Sequence, residues 1–366
     1  MTKAAELAKM GEVLTNGQIG GRRNLIINGA MQVAQRSASV TGIGAADGYF
    51  TCDRWGVYQG GTAGRLTMTQ TADGPSGFAN CLKLDCTTAD TSIASGEYFA
   101  ITQRLEGQDV QQIKKGTSDA ESITVSFYVK GNASATYAVE LFDNDNTRQA
   151  AQLFSVTTDW TRVVKTFTAD TTGAFDDDNA QSLELNFWIH AGSNLTSGTL
   201  NQTFAANDNT NRAVGISSFF DSTDRTFFIT GVQLEVGSVA TPFEHRSFGE
   251  ELALCQRYYQ YFGDPAGTYY ALLPSLRWST NTSFITMFTH ENMRAAPSLS
   301  MASGSNPGTV IGNGSSDSFT LGNMTLQDYD GRVATISIGL DFNPSSTQAY
   351  VCRLDEDRVL ALSSEL

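Results

Sequence analysis

Two segments of this chain alternate apolar and polar residues without a break, Ile123-Thr-Val-Ser-Phe-Tyr-Val129 and Leu183-Glu-Leu-Asn-Phe-Trp-Ile189. A period of two belongs to a β-strand with one buried face, because successive side chains point to opposite sides of a sheet. Each segment puts four apolar side chains on one face. The other face then carries Thr124, Ser126, Tyr128 and Lys130 on the first, and Glu184, Asn186, Trp188 and His190 on the second. Further strand signals run over 136–142, 160–167 and 226–236, separated by turn clusters at 143–146 and 176–179. The 34 glycines and the low charged fraction of 17% suit short strands joined by tight turns. A mostly β protein follows, with a jelly-roll sandwich over residues 24–247.

A chain of 366 residues is long enough for a second core. Strand signals return at 269–273, 284–290, 319–326, 334–340 and 349–354, and predict a smaller C-terminal β-sandwich over 264–366. Between the two, Ser247-Phe-Gly-Glu250 has the form of a capping box. Phe248, Leu252, Cys255, Tyr259 and Phe262 follow at helical spacing, and Gly263 is a stop. The spacing predicts a helix over 248–263, whose stripe serves either as a linker packed on the sandwich or as an assembly seam. Residues 1–23 read as a short helix with Leu7, Met10 and Leu14 on one side, an anchor or a frayed tail.

The formal net charge of −14 disfavours nucleic acid as a partner, since phosphate contact needs clustered Lys and Arg. No apolar run is long enough to insert in a membrane, and the first residues lack the apolar core of a secretion signal, so synthesis in the cytoplasm is expected. The five dispersed cysteines show no metal-ligand spacing and read as buried thiols. The three histidines sit in no nucleophile elbow or zinc helix, so no enzyme is expected and no cofactor is called for.

Two kinds of binding residue remain. Asp143, Asp145, Asp176, Asp177 and Asp178 lie in acidic turns that offer oxygen ligands for a structural calcium ion, or are simply solvated turns. Tyr128, Glu184, Asn186, Trp188 and His190 on outer strand faces have the composition of a sugar platform, because an aromatic ring stacks on a pyranose while polar neighbours take its hydroxyls. The same residues would serve a subunit interface, or lie under a loop. Tyr269, Tyr270 and Trp278 would give the C-terminal sandwich aromatic contacts, or fill its core.

Several motifs run in a specific order. They are Asn24-Leu-Ile-Ile-Asn-Gly-Ala-Met-Gln-Val-Ala-Gln-Arg36, Cys52-Asp-Arg-Trp55, Thr230-Gly-Val-Gln-Leu-Glu-Val-Gly237, Thr241-Pro-Phe-Glu-His-Arg246, Glu250-Glu-Leu-Ala-Leu-Cys-Gln-Arg-Tyr-Tyr259 and Met293-Arg-Ala-Ala-Pro297. Together they resemble a family of tail-fibre-like virion proteins of tailed bacteriophages. The resemblance implies a jelly roll similar to carbohydrate-binding modules and a homotrimeric particle component. It also implies attachment to other phage tail or virion proteins through the N-terminus, and it would place a structural ion near Glu235. Host-surface polysaccharide or lipopolysaccharide is then the expected ligand. A connector or decoration protein without a host ligand and a glycan-cleaving spike are the alternatives.

Overall fold

The computed structural model describes residue 3, residues 22–263, and then 271–277, 283–289, 292–301, 308–312, 315–319, 324–329, 333–339, 350–354 and 359–366. Leu7, Met10, Leu14, Tyr269, Tyr270 and Trp278 lie outside the described residues. The chain divides into two compact units, one running to Glu251 and including Leu366, the other Leu252–Glu365.

The first unit holds β1 (Ser39–Ile43), β2 (Gly48–Tyr49), β3 (Gly56–Gly60), β4 (Arg65–Thr71), β5 (Cys81–Thr88), β6 (Tyr98–Glu106), β7 (Ile123–Gly131), β8 (Ala135–Asp143), β9 (Arg148–Val156), β10 (Thr161–Phe167), β11 (Gln181–Ala191), β12 (Ala205–Ala206) and β13 (Thr226–Val236). They form a six-stranded sheet, β1-β4-β5-β13-β7-β10, and a seven-stranded sheet, β12-β9-β8-β11-β6-β3-β2. The pairings are antiparallel. The apolar sets that alternation assigned inward, Ile123, Val125, Phe127, Val129 and Leu183, Leu185, Phe187, Ile189, all enter one core shared by the two sheets. Across it Phe127 meets Phe187 and Phe154 edge-on, each at 5.0 Å between ring centres. The molecule is thus mostly β and built of sandwich-like antiparallel sheets, as the period of two predicts.

The motif residues that carry the resemblance lock the first unit's chain start to its last strand. Asn24 donates from Nδ2 to the Val232 carbonyl (3.1 Å) and accepts the amides of Ile26 and Leu234 (3.0 and 3.1 Å). Asn28, fully buried, binds the Val33 and Asp53 carbonyls and the Val33 amide, while its own carbonyl takes the Trp55 indole at 3.0 Å. Arg246 reaches the carbonyls of Asn24 and Ile26 and the carboxylate of Glu251, which also accepts the Asn28 amide. Asn28, Met31 and Arg54 all have left-handed backbones, φ 56°, 55° and 69°. Among side-chain-bearing residues such backbones are uncommon, and Asn carries them best.

The second unit contains β14 (Tyr259–Gly263), β15 (Ala271–Arg277), β16 (Ser283–Thr289), β17 (Ser298–Met301), β18 (Gly308–Gly312), β19 (Ser315–Phe319), β20 (Met324–Tyr329), β21 (Val333–Gly339), β22 (Tyr350–Leu354) and β23 (Val359–Ser363). A three-stranded sheet, β14-β23-β17, and a seven-stranded sheet, β19-β18-β22-β15-β16-β21-β20, share a core of Val310, Ile336, Ile338, Cys352, Leu354, Leu360 and Leu362. Of the strand expected over 319–326, Phe319 ends β19 and Met324 begins β20, and 320–323 lie outside the described residues.

The helix expected over 248–263 is shorter than its spacing suggested. It spans Phe248–Gln256, and Tyr259–Gly263 is strand β14, paired with Val359–Ser363. Of the seam residues, Phe248 is 57% exposed, Leu252 is half-buried and Cys255 is buried, all on the helix. Tyr259 and Phe262 lie on the strand, with Phe262 packed on the second unit's core. A continuous five-residue helical seam therefore does not exist. Tyr and Phe suit a pleated surface, and the partner strand lies some hundred residues away, where local periodicity cannot register it. The capping box is present: the Glu250 carboxylate accepts the Ser247 amide at 2.9 Å, and Ser247 Oγ accepts the Glu250 amide at 3.3 Å.

Candidate functional site

The outer face of β11 is not a free platform. Trp188, Asn186 and His190 are each 0% exposed, and Glu184 is half-buried. The connection after β11, with its short helix Ser193–Thr196, lays Leu195 and Ala213, with half-buried Ile216, against Trp188, Ala100 and Ala138. The Trp188 indole donates to Glu140 Oε2 at 2.8 Å, and Asn186 Nδ2 reaches the same oxygen at 3.1 Å. Arg212 closes a bidentate pair with Glu140, both contacts 2.8 Å, and its guanidinium lies 4.9 Å from the Trp188 ring centre. Glu184 is taken by Arg104 at 3.0 Å. Alternation identified the face correctly but not its cover, because the covering residues come from a different stretch of chain. At the rim of the cluster, half-buried Tyr58 and Tyr98 stack on each other at 4.9 Å and edge onto Trp188.

The bulge between Trp188 and His190 separates the histidine from that cluster. His190 sits instead against Phe220, ring centres 5.2 Å apart, with Nδ1 2.8 Å from Ser218 Oγ.

On the six-stranded sheet the outward face of β7 is buried at Thr124 and Ser126 and reaches the surface only at Tyr128 and Lys130. Tyr128 is half-buried and stands 5.2 Å from Phe78, which also meets Phe243 at 5.0 Å and His245 at 5.2 Å. Phe78 and Phe243 are half-buried and His245 is exposed. Gly231 makes this packing possible: with φ +61°, a Cβ there would lie 2.7 Å from Phe78 and 2.9 Å from Tyr128. Along the same face Phe228 pairs in register with Lys83 and Lys130. The Lys130 ammonium lies 4.7 Å from the Phe228 ring centre, 5.3 Å from that of Trp160, and 2.7 Å from Asp73. Half-buried rings flanked by Lys130, Asp73 and His245 form a surface able to stack on sugar rings and hydrogen-bond their hydroxyls. Of the platform residues expected from the sequence, only Tyr128 belongs to it. Phe78, Trp160, Phe228, Phe243 and His245 were missed, since all but Phe228 lie on connections whose docking no strand pattern reports.

The acidic turns are held by the protein's own groups. Asp143 is buried and bound by the Lys115 ammonium at 2.5 Å, which also contacts Asp170 at 3.1 Å and the carbonyls of Thr172 and Gly173 at 2.7 and 2.8 Å. Lys115, 3% exposed, thus occupies an oxygen-lined position of the kind a bound cation would take. Asp145 accepts the Asp176 amide at 3.0 Å, and Asp178 accepts the Ala180 amide at 2.8 Å. Asp177 is exposed. Glu235 is buried and accepts from the Thr241 amide and hydroxyl and from Gln233. All five cysteines are buried thiols outside any disulfide, and burial pushes the Cys81 and Cys86 thiols up to about 11. No helix among the described residues is long and apolar enough to cross a membrane.

No family model matches the sequence, and no curated protein matches it. Solved structures similar to the chain include the family 11 carbohydrate-binding module of a cellulosomal cellulase of Clostridium thermocellum. That match has 13% identity, 58% of this chain and 100% of that one, and TM-score 0.27. The CBM22-1 xylan-binding domain of Paenibacillus barcinonensis Xyn10C has 12% identity, covers 60% of this chain and 100% of its own, and has TM-score 0.30. TmCBM61, solved with β-1,4-galactotriose, has 10% identity, 59% and 99% coverage, and TM-score 0.31. At these identities and TM-scores the likeness says nothing about a ligand of this chain.

Proposed function

We propose that this chain is a tail-fibre-like virion component of a tailed bacteriophage, a homotrimer that binds host-surface polysaccharide or lipopolysaccharide and takes no part in bond cleavage. The ordered motifs from Asn24 to Pro297 support the virion reading. The observation that carries glycan binding is the half-exposed aromatic surface of Phe78, Tyr128 and Phe243 with His245 beside it. Residues 1–23 are the attachment segment in this reading, and repeated weak sites in a trimer raise the avidity for a cell surface. The buried state of Trp188 favours a second reading, a connector or decoration protein without a host ligand, by removing one platform.

The test is binding of the full chain, its mass measured by light scattering, to host cells and to polysaccharide extracted from them. A trimer that binds, competes with phage adsorption and loses affinity about tenfold in Tyr128→Ala is expected, since one stacked ring contributes on the order of 1 kcal/mol. Binding unchanged in Tyr128→Ala and Phe243→Ala would remove this surface from the reading. No binding by the intact trimer would leave the connector role, and release of reducing ends would restore the cleaving spike.

A further inference from the structure

We propose that Asp90, Glu97 and His190 form a binding site for one divalent transition-metal ion of the zinc class. The three side chains come from two places far apart in sequence: Asp90 and Glu97 from the connection between β5 and β6, His190 from the end of β11. Each offers one ligand atom, and those atoms lie within 4.8 Å of one another. His190 is 0% exposed and its Nε2 has no hydrogen-bond partner, although a buried polar atom without one is costly. Its ring is fixed by Phe220 and by the Nδ1 contact to Ser218 Oγ, which also accepts the Phe220 amide at 3.1 Å. With Nδ1–H donated to Ser218, the Nε2 lone pair remains for an ion. Holding the far nitrogen of a ligating imidazole in this way sets its tautomer.

The carboxylates are oriented as well. Asp90 Oδ2 accepts the Thr62 hydroxyl at 2.8 Å and the Ala63 amide at 2.9 Å, and Glu97 Oε2 accepts the Ala94 amide at 2.7 Å. The second oxygen of each remains for an ion. Metal–ligand bonds of about 2.0–2.2 Å require ligand atoms somewhat closer than 4.8 Å, a contraction that the half-buried Glu97 can supply by turning. One imidazole and two carboxylates neutralise a divalent charge and suit zinc, whereas calcium needs six to eight oxygens. The ion would tie the β5–β6 connection to β11 beside the turn through Phe220, whose carbonyl already takes the Asp90 amide at 2.8 Å.

The experiment uses the full chain stripped with chelator, then titrated with Zn2+ by calorimetry and with Co2+ by visible absorption. The expected result is one ion per chain, a melting temperature that rises with Zn2+, and loss of both effects in Glu97→Gln, whose half-buried position protects the fold. His190→Gln should abolish the cobalt spectrum, and Ser218→Ala should weaken binding about tenfold to a hundredfold as a positioning residue. Absence of bound ion, equal affinity in Glu97→Gln and the intact chain, or a response to calcium matching that to zinc would each overturn the site.

Discussion

At the residue scale, Lys115 shows how a buried charge is held. Its ammonium is enclosed by two carboxylates and two carbonyls, and the rings of Phe175 and Phe204 lie 5.4 and 5.7 Å away. Removing one partner of such a group leaves an uncompensated charge in a low dielectric. Lys115→Met should therefore destabilise the first unit by about 3–5 kcal/mol at pH 7 in denaturant unfolding. The pH dependence gives an independent check. Burial alone would raise Asp170, but the Arg148 guanidinium, the Thr172 amide and Lys115 together hold its carboxyl below the usual value. A depressed carboxylate contributes stability above its unfolded pKa, about 3.9, and loses it as pH falls through the folded value. The intact protein should lose stability on acidification below about pH 4. The deficit of Lys115→Met should narrow over the same window, because acid neutralises the orphaned carboxylates. A deficit that is constant from pH 7 to pH 3.5 would mean that Lys115 acts by packing and not by charge.

At the scale of elements, the capping box was legible because all its information is local: four residues specify two reciprocal hydrogen bonds. Ser247→Ala should cost the helix Phe248–Gln256 about 1 kcal/mol, read as faster amide hydrogen exchange in its first turn with little change in β7 or β11. The hydrogen bonds from Ser247 hold the exposed Glu250 carboxyl below its ordinary pKa, so the cap's contribution is complete above the ordinary value and is lost as pH falls through the lowered one. The same locality explains the failures. Strand β13 was bounded correctly at Thr226 and Val236, since its alternation and flanking turns lie within it. The Tyr259–Gly263 strand was misread as helix, since Tyr259 and Phe262 continue the helical spacing of Phe248, Leu252 and Cys255 and only a distant strand decides otherwise. Trp188 was placed on the right face, but alternation left platform, interface and loop cover open, because the cover that decides between them arrives from Leu195 and Ala213. The Asp90–Glu97–His190 group left no signal at all, since His190 lies about a hundred residues from the other two with no spacing that links them.

At the scale of the whole molecule, the motifs that resemble tail-fibre-like virion proteins turn out to hold the fold. Asn24, Asn28, Gly29, Trp55, Val232, Leu234, Arg246 and Glu251 are joined by buried hydrogen bonds or close backbone approach, so their order along the sequence reflects one connected tie in space. The aromatic surface around Tyr128 lies on the same sheet but draws on Phe78 and Trp160, outside those motifs. The tie also sets where the first unit can be cut. Among the described residues its first hydrogen bonds come from Arg22 and Arg23, which reach the Leu25 and Pro242 carbonyls. A chain lacking residues 1–21 should keep its unfolding midpoint and its polysaccharide binding, and in the virion reading it should fail to join particles. A chain lacking 1–36 removes Asn24 and Asn28 and strands buried amides and carbonyls at about 1–3 kcal/mol each, so it should not fold. Light scattering of the shorter deletion separates assembly from attachment: a trimer that no longer incorporates assigns residues 1–21 to the particle, whereas a monomer assigns them to trimerisation.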